Sequence, residues 1–142
     1  MSFRLDYGES LQNVVERLRT EHKEISSKLS KIAEEAAKGN LGVAISLLEV
    51  LKLEILRHAV EEEARLVRFI STQPQQAFED SLMVFREHRR ITEFLQERLQ
   101  YLHELPSNRA RKEIEEFVSE LRKHHEAEER IAFPIVVNNC EY

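Results

Sequence analysis

The sequence predicts an all-α fold, an up-down-up-down bundle of four long helices. Three observations carry that prediction. Gly and Pro number only 3 each in 142 residues, so there are few points at which a helix must stop. Charged residues, mostly Glu, Lys and Arg, make up 33% of the chain, which suits the wet faces of helices. Apolar residues recur at alternating steps of three and four along four stretches.

The scarce breakers mark the boundaries. KGNLG at 38–42 reads as a turn, Pro74 marks a second, and LPSN at 105–108 a third, with Ser107 or Asn108 expected as the cap of the helix that follows. Helices are therefore expected over about 9–38, 41–72, 75–104 and 107–138, within a single domain spanning 1–142. The first seam reads Leu11, Val15, Leu18, His22, Ile25, Leu29, Ile32, Ala36. The second reads Leu41, Ala44, Leu48, Leu51, Ile55, His58, Glu62, Leu66, Phe69. The third reads Phe78, Leu82, Phe85, His88, Thr92, Leu95, Leu99, Leu102. The fourth reads Ile114, Phe117, Leu121, His124, Glu128, Ile131, Ile135, and Pro134 is expected to bend or end it.

Each seam is apolar except near its middle, where every helix carries a histidine and two add a glutamate. These positions repeat with an offset of 66: EHKEI at 21–25 returns as EHRRI at 87–91, and R-H-x-x-x-E-E at 57–63 as K-H-x-x-x-E-E at 123–129. His22, His58 and Glu62 thus map onto His88, His124 and Glu128. His22 and His58 are each 18 residues from the turn at 40, as His88 and His124 are from position 106, so the six side chains should share one layer. The repeat also separates the adjacent histidines: His124 is on the seam, whereas His125 and Glu129 fall about 100° from it, and His125 is expected to face solvent.

An isolated His or an i,i+4 Glu is usually a core hydrogen bond or an exposed pair. Four imidazoles and two carboxylates in one buried layer are different, because unpaired buried carboxylates are costly. They read as metal ligands: His22, His58, Glu62, His88, His124 and Glu128. Two ions bridged by both carboxylates, each with two imidazoles, would use all six. Nitrogen and oxygen donors without thiolate suit iron, with manganese or zinc as alternatives, and an oxo or hydroxo group is expected between the ions. Glu61 reads as an exposed or outer residue before a ligand, though it is the best spare ligand, and Thr92 as able to bond a metal-bound group, although a mid-helix Thr more often bonds its own backbone. Glu63 and Glu129 read as exposed or outer residues, and His103 and Cys140 as structural or incidental.

With its EHKEI segment, repeated H-x-x-x-E pairs and HHEAEERIAFP ending, the chain resembles the hemerythrin-like family, also called the HHE cation-binding domain. The resemblance implies a four-helix bundle around a non-haem di-iron centre held by the six residues above. Oxygen-carrying members have an H-x-x-x-H pair on the third helix, whereas here Val84 and Thr92 flank His88. The four-His, two-Glu set is closer to members implicated in repair of iron centres after oxidative or nitrosative damage. The resemblance implies redox activity toward oxygen, peroxide or nitric oxide, the alternative being an oxygen, redox or iron sensor without turnover.

The remaining features narrow partners and setting. A net charge of −5 with no basic tract argues against nucleic acid. No apolar run reaches membrane-spanning length, and the opening MSFRLDYGES does not read as a signal peptide. With a single cysteine, Cys140, a cytoplasmic protein is expected, its ligand a small diatomic molecule or peroxide.

Overall fold

The computed structural model describes residues 8–140. Residues 1–7, in the stretch read for a leader, and 141–142, both within the expected single-domain span, lie outside the described residues. Helix α1 is Leu11–Ala37, capped by Ser10, whose side chain accepts from Asn13 N–H. Helix α2 (41–70) runs Leu41–Glu62, passes through a π turn at Glu63–Val67 and ends with Arg68–Ile70. Helix α3 (75–104) comprises Gln75–Glu93, a π turn at Phe94–Arg98 and a tight final stretch, Leu99–Glu104. Helix α4 (107–139) comprises Ser107–Ala127, a π turn at Glu128–Ala132 and Phe133–Asn139. The expected Ser107 or Asn108 cap is displaced: Pro106 is the capping residue and Ser107 the first helical one. The fold is the all-α helical bundle the periodicity predicts, with no strand among the described residues.

In the second parts of α2 and α4, π turns account for where the seams depart from a simple 3–4 count. They begin at or just after a seam glutamate, Glu62 and Glu128. A π turn holds one more residue than an α turn, so the inward face moves on by one position. Ile70 is accordingly buried where the seam predicted Phe69, and Ala132 and Val136 replace Ile131 and Ile135. The second of these turns also carries α4 past Pro134. Proline cannot donate to the carbonyl four residues back and its ring crowds that carbonyl. The wider turn ending at Ala132 precedes it, and the helix goes on to Asn139.

The core falls into two apolar clusters. One gathers Ile25, Leu29, Ile32, Leu48, Leu51, Ile55, Ile91, Leu95, Ile114, Phe117 and Leu121. The other gathers Val14, Val15, Leu18, Leu66, Ile70, Phe85, Ala132, Phe133 and Val136. The histidine and glutamate positions of all four helices lie in sequence between the residues of these two clusters. Full burial of each large aliphatic side chain contributes about 1.5–3 kcal/mol, so the polar layer is clamped from both sides.

The α1–α2 turn needs a glycine. Gly39 has φ +85°, its N–H bonds Ala36 O at 3.1 Å, and Asn40 N–H bonds Glu35 O at 2.9 Å. This is a Schellman ending, with the left-handed residue just past the helix. A Cβ on Gly39 would meet nothing within 4 Å, so the constraint is conformational and not spatial. Gly39→Ala is therefore expected to lower stability by about 1 kcal/mol through backbone strain alone. Chemical denaturation should show the loss with an unchanged slope, and an unchanged midpoint would contradict it.

Candidate metal centre

The six seam residues converge in one buried layer. His22, His58, His88 and His124 are each at most 4% exposed, and Glu62 and Glu128 are fully buried. Every imidazole turns Nε2 toward the two carboxylates. His58 Nε2 lies 3.1 Å from Glu62 Oε1, and His88 Nε2 lies 3.4 Å from the same oxygen and 3.3 Å from Glu128 Oε2. His22 Nε2 and His124 Nε2 each lie 3.3 Å from Glu128 Oε1. Glu128 is thus approached by three imidazoles and Glu62 by two.

These approaches are close, but most lack hydrogen-bond geometry. His22 Nε2, His58 Nε2, His124 Nε2, both Glu62 oxygens and Glu128 Oε1 are buried without a hydrogen-bond partner. Native proteins rarely leave so many buried polar atoms unsatisfied in one place. A shared cation would satisfy them. Two four-donor groups are within reach: Glu62, His88, His124 and Glu128 in one, and His22, His58, His125 and Glu128 in the other. Within each, one donor atom per residue lies within 4.8 Å of all the others.

His125 corrects the expectation drawn from the seam. It does not face solvent but is 6% exposed, stacked on His22 with ring centroids 3.9 Å apart and planes 14° apart. A helix in a bundle touches two neighbours, so a position 100° off the central seam can face the adjacent helix. Here that helix is α1. Phe133, from the E-E-x-x-x-F-P ending, also lies nearly parallel to the His22 ring, with centroids 5.3 Å apart. Burial, then the neighbouring His22, pushes the His125 pKa down to about 2, so its imidazole is neutral. Two displaced, nearly parallel rings cannot both hold one ion in their planes. In this stacked arrangement His125 therefore packs against His22 and does not share an ion with it.

The spare candidates divide similarly. Glu61 is buried, but its carboxylate is ion-paired with Arg17 and it joins neither donor group. Its counterpart across the repeat is Ala127, which the offset of 66 already sets apart from the ligand pattern. Thr92 is half-buried. Four further glutamates stand behind the histidines. Glu21 Oε1 accepts from His58 Nδ1–H at 2.8 Å, Glu63 Oε1 from His88 Nδ1–H at 3.0 Å, and Glu87 Oε1 from His124 Nδ1–H at 3.1 Å. Glu129 Oε2 lies 3.5 Å from His22 Nδ1. Glu21 and Glu87 were not singled out from the sequence. The signal was present in the repeated Glu-His dipeptide at 21–22 and 87–88.

The electrostatics follow from this enclosure. Burial lowers the His58 pKa, but Glu62 and Glu21 outweigh it and raise it to about 10. Burial likewise opposes, and Glu128, Glu62 and Glu63 overcome, at His88, which rises to about 12. His124 is raised by Glu128 against burial. Burial would raise the Glu128 carboxyl, yet the close approach of the His124, His22 and His88 imidazoles holds it well below its ordinary range. Protons on His58, His88 and His124 thus offset the buried carboxylates when no metal does.

The fold and the site together define an all-α bundle with a buried histidine–carboxylate cluster of metal-binding composition. Residues 82–141, which hold His88, His124 and Glu128, match the family model described as Hemerythrin HHE cation binding domain. The hemerythrin-like resemblance is shown over that stretch, and the described residues form an all-α helical bundle. No curated protein and no solved structure matches the chain.

The shifts predict how the metal-free protein responds to pH. His58 and His88, raised above 6.5 to about 10 and about 12, contribute stability that is complete below pH 6.5 and is lost as pH climbs through those values. Glu128, depressed below 4.5, contributes stability that is complete above pH 4.5 and is lost on acidification. His125, pushed down from 6.5 to about 2, costs stability as pH falls below 6.5, so the metal-free protein should melt highest near pH 6.5. Metal competes with those protons, so the increase in Tm on adding metal should grow with pH. Melting curves of both forms from about pH 4 to about pH 10 would check this. A metal-free Tm that rises steadily above neutrality would contradict it.

Proposed function

We propose that the cluster holds two metal ions, iron when available, with His22 and His58 on one, His88 and His124 on the other, and Glu62 and Glu128 shared between them. The observation that carries this is the set of unsatisfied, buried Nε2 and carboxylate atoms all turned to one centre. Imidazole and carboxylate donors without thiolate suit iron or manganese, with zinc as an alternative. The hemerythrin HHE match over 82–141 supports a cation in this place.

Bound iron would supply one-electron and oxygen chemistry to the site. The chain's part is to hold the ions in a water-poor layer and leave them reachable by a small ligand. Glu61 is engaged by Arg17, and His125 is stacked on His22, so neither is arranged to occupy a remaining position. The reading is a non-haem di-iron protein that reacts with oxygen, peroxide or nitric oxide, in iron-centre repair or in the oxidative and nitrosative stress response. A small-molecule ligand suits the buried site, and a reducing, cytoplasmic setting suits a chain with one free cysteine, Cys140.

Metal analysis tests the first part. Iron-supplied protein should carry two ions per chain, and Glu62→Ala or Glu128→Ala should lose both, because each carboxylate serves both ions. His124→Ala should lose at least one ion, whereas His125→Ala should keep two. One ion or none in the wild type, or equal losses at positions 124 and 125, would contradict the assignment. Stopped-flow mixing tests the second part. The reduced, iron-loaded protein should be oxidised by oxygen without returning it. Recovery of the reduced spectrum intact under vacuum would indicate reversible carriage instead.

A further inference from the structure

Behind the inward-facing nitrogens lies a second, closed arrangement. Glu21 of α1 meets His58 of α2, Glu63 of α2 meets His88 of α3, Glu87 of α3 meets His124 of α4, and Glu129 of α4 approaches His22 of α1. Each helix thus presents a carboxylate to the imidazole of the next, and the circuit returns to its start. The two halves are related by the repeat, since Glu21 and Glu63 map onto Glu87 and Glu129 at the offset of 66. In every pair the carboxylate addresses Nδ1, the nitrogen not turned to the centre.

We propose that Glu21, Glu63 and Glu87 are positioning residues that hold His58, His88 and His124 with Nε2 inward, and that together with Glu129 they set the redox preference of the bound metal. The inference rests on the two-metal reading above. A neutral imidazole has one N–H and one lone pair, so a carboxylate accepting from Nδ1–H leaves Nε2 free to ligate. It also fixes the ring's rotation and makes Nε2 a better donor. Four added carboxylates around the cluster favour the more highly charged, oxidised metal by simple Coulomb attraction.

The contacts are graded, and the effects should follow. Glu21 is the best placed, at 2.8 Å, with its side chain only 23% exposed and Arg17 Nη1 3.3 Å from its other oxygen. Burial works to raise the Glu21 carboxyl, but His58 and Arg17 bring it below its ordinary range. Glu63 and Glu87 make contacts of 3.0 and 3.1 Å from side chains 55% and 47% exposed, where solvent screening weakens them. Glu129, at 3.5 Å, makes no hydrogen bond to His22 Nδ1, which is buried without one; the flanking rings of His125 and Phe133 hold His22, and Glu129 acts by charge alone.

The test uses the full chain, loaded with ferrous iron, with each of the four glutamates changed to Gln and to Ala. Glu93→Gln serves as control, since Glu93 is exposed and pairs with Arg89. Competition with a chromophoric chelator reads iron affinity, potentiometric titration reads the midpoint potential, and circular dichroism of the metal-free form reads folding. Glu21→Ala should lose about 10–100-fold in affinity, with smaller losses at positions 63 and 87 and the smallest at 129. Each Gln variant, which keeps an acceptor but removes a carboxylate, should lose less affinity than its Ala partner and shift the midpoint potential upward. The control should shift neither. If Glu21→Ala does not fold, the isosteric Glu21→Gln carries the test through its potential. Iron-loaded wild type with all four Gln variants at its own potential, and the Ala variants within about twofold of its affinity, would overturn the inference alone. Wild type that takes up no iron would overturn the two-metal reading and the inference with it.

Discussion

Two carboxylates, Glu62 and Glu128, sit fully buried at mid-height in a helical bundle, and the structure is organised around offsetting their charge. Taking an ionised carboxylate out of water costs on the order of several kcal/mol even after relaxation. No single helix could supply enough partners. The chain answers with one imidazole from each of four helices, all turned the same way, so the relative register of every helix is tied to the same layer. The apolar clusters above and below keep that layer dry, which raises both the cost of leaving it unpaired and the strength of whatever pairs it.

Protons and metal compete for that pairing role. In the metal-free protein the raised pKa values of His58, His88 and His124 let imidazolium groups stand against the carboxylates. A cation taking their place must displace those protons, so folding, acidity and metal uptake are three readings of one equilibrium. The ring of outer glutamates belongs to the same logic. Three of its members accept from Nδ1 of His58, His88 and His124 at the rim, which leaves the inner nitrogens of those rings to the centre.

Much of this was legible in the sequence because the repeat at 66 residues makes the pattern speak twice. The bundle followed from periodicity and the scarcity of breakers, and the convergence of His22, His58, His88 and His124 followed from equal distances to the turns. What the sequence concealed has physical causes. His125 was placed outside by counting 100° steps from a single central seam, whereas a bundle helix also packs sideways against its neighbours. The register slips after Glu62 and Glu128 come from π turns, which side-chain periodicity alone does not announce. Glu61 looked available because its captor, Arg17, lies on another helix, 44 residues away in sequence. Glu21 and Glu87 were hidden by sitting one step off the seam, although their repetition beside His22 and His88 was in plain view.

The central claim is that one buried layer holds a pair of ions, and the most direct measurement is anomalous diffraction at the iron edge from crystals of the iron-loaded protein. The account predicts two peaks about 3.5–4 Å apart, one beside His22 and His58, the other beside His88 and His124, with Glu62 and Glu128 between. A single peak, or peaks only on the surface glutamates, would contradict it.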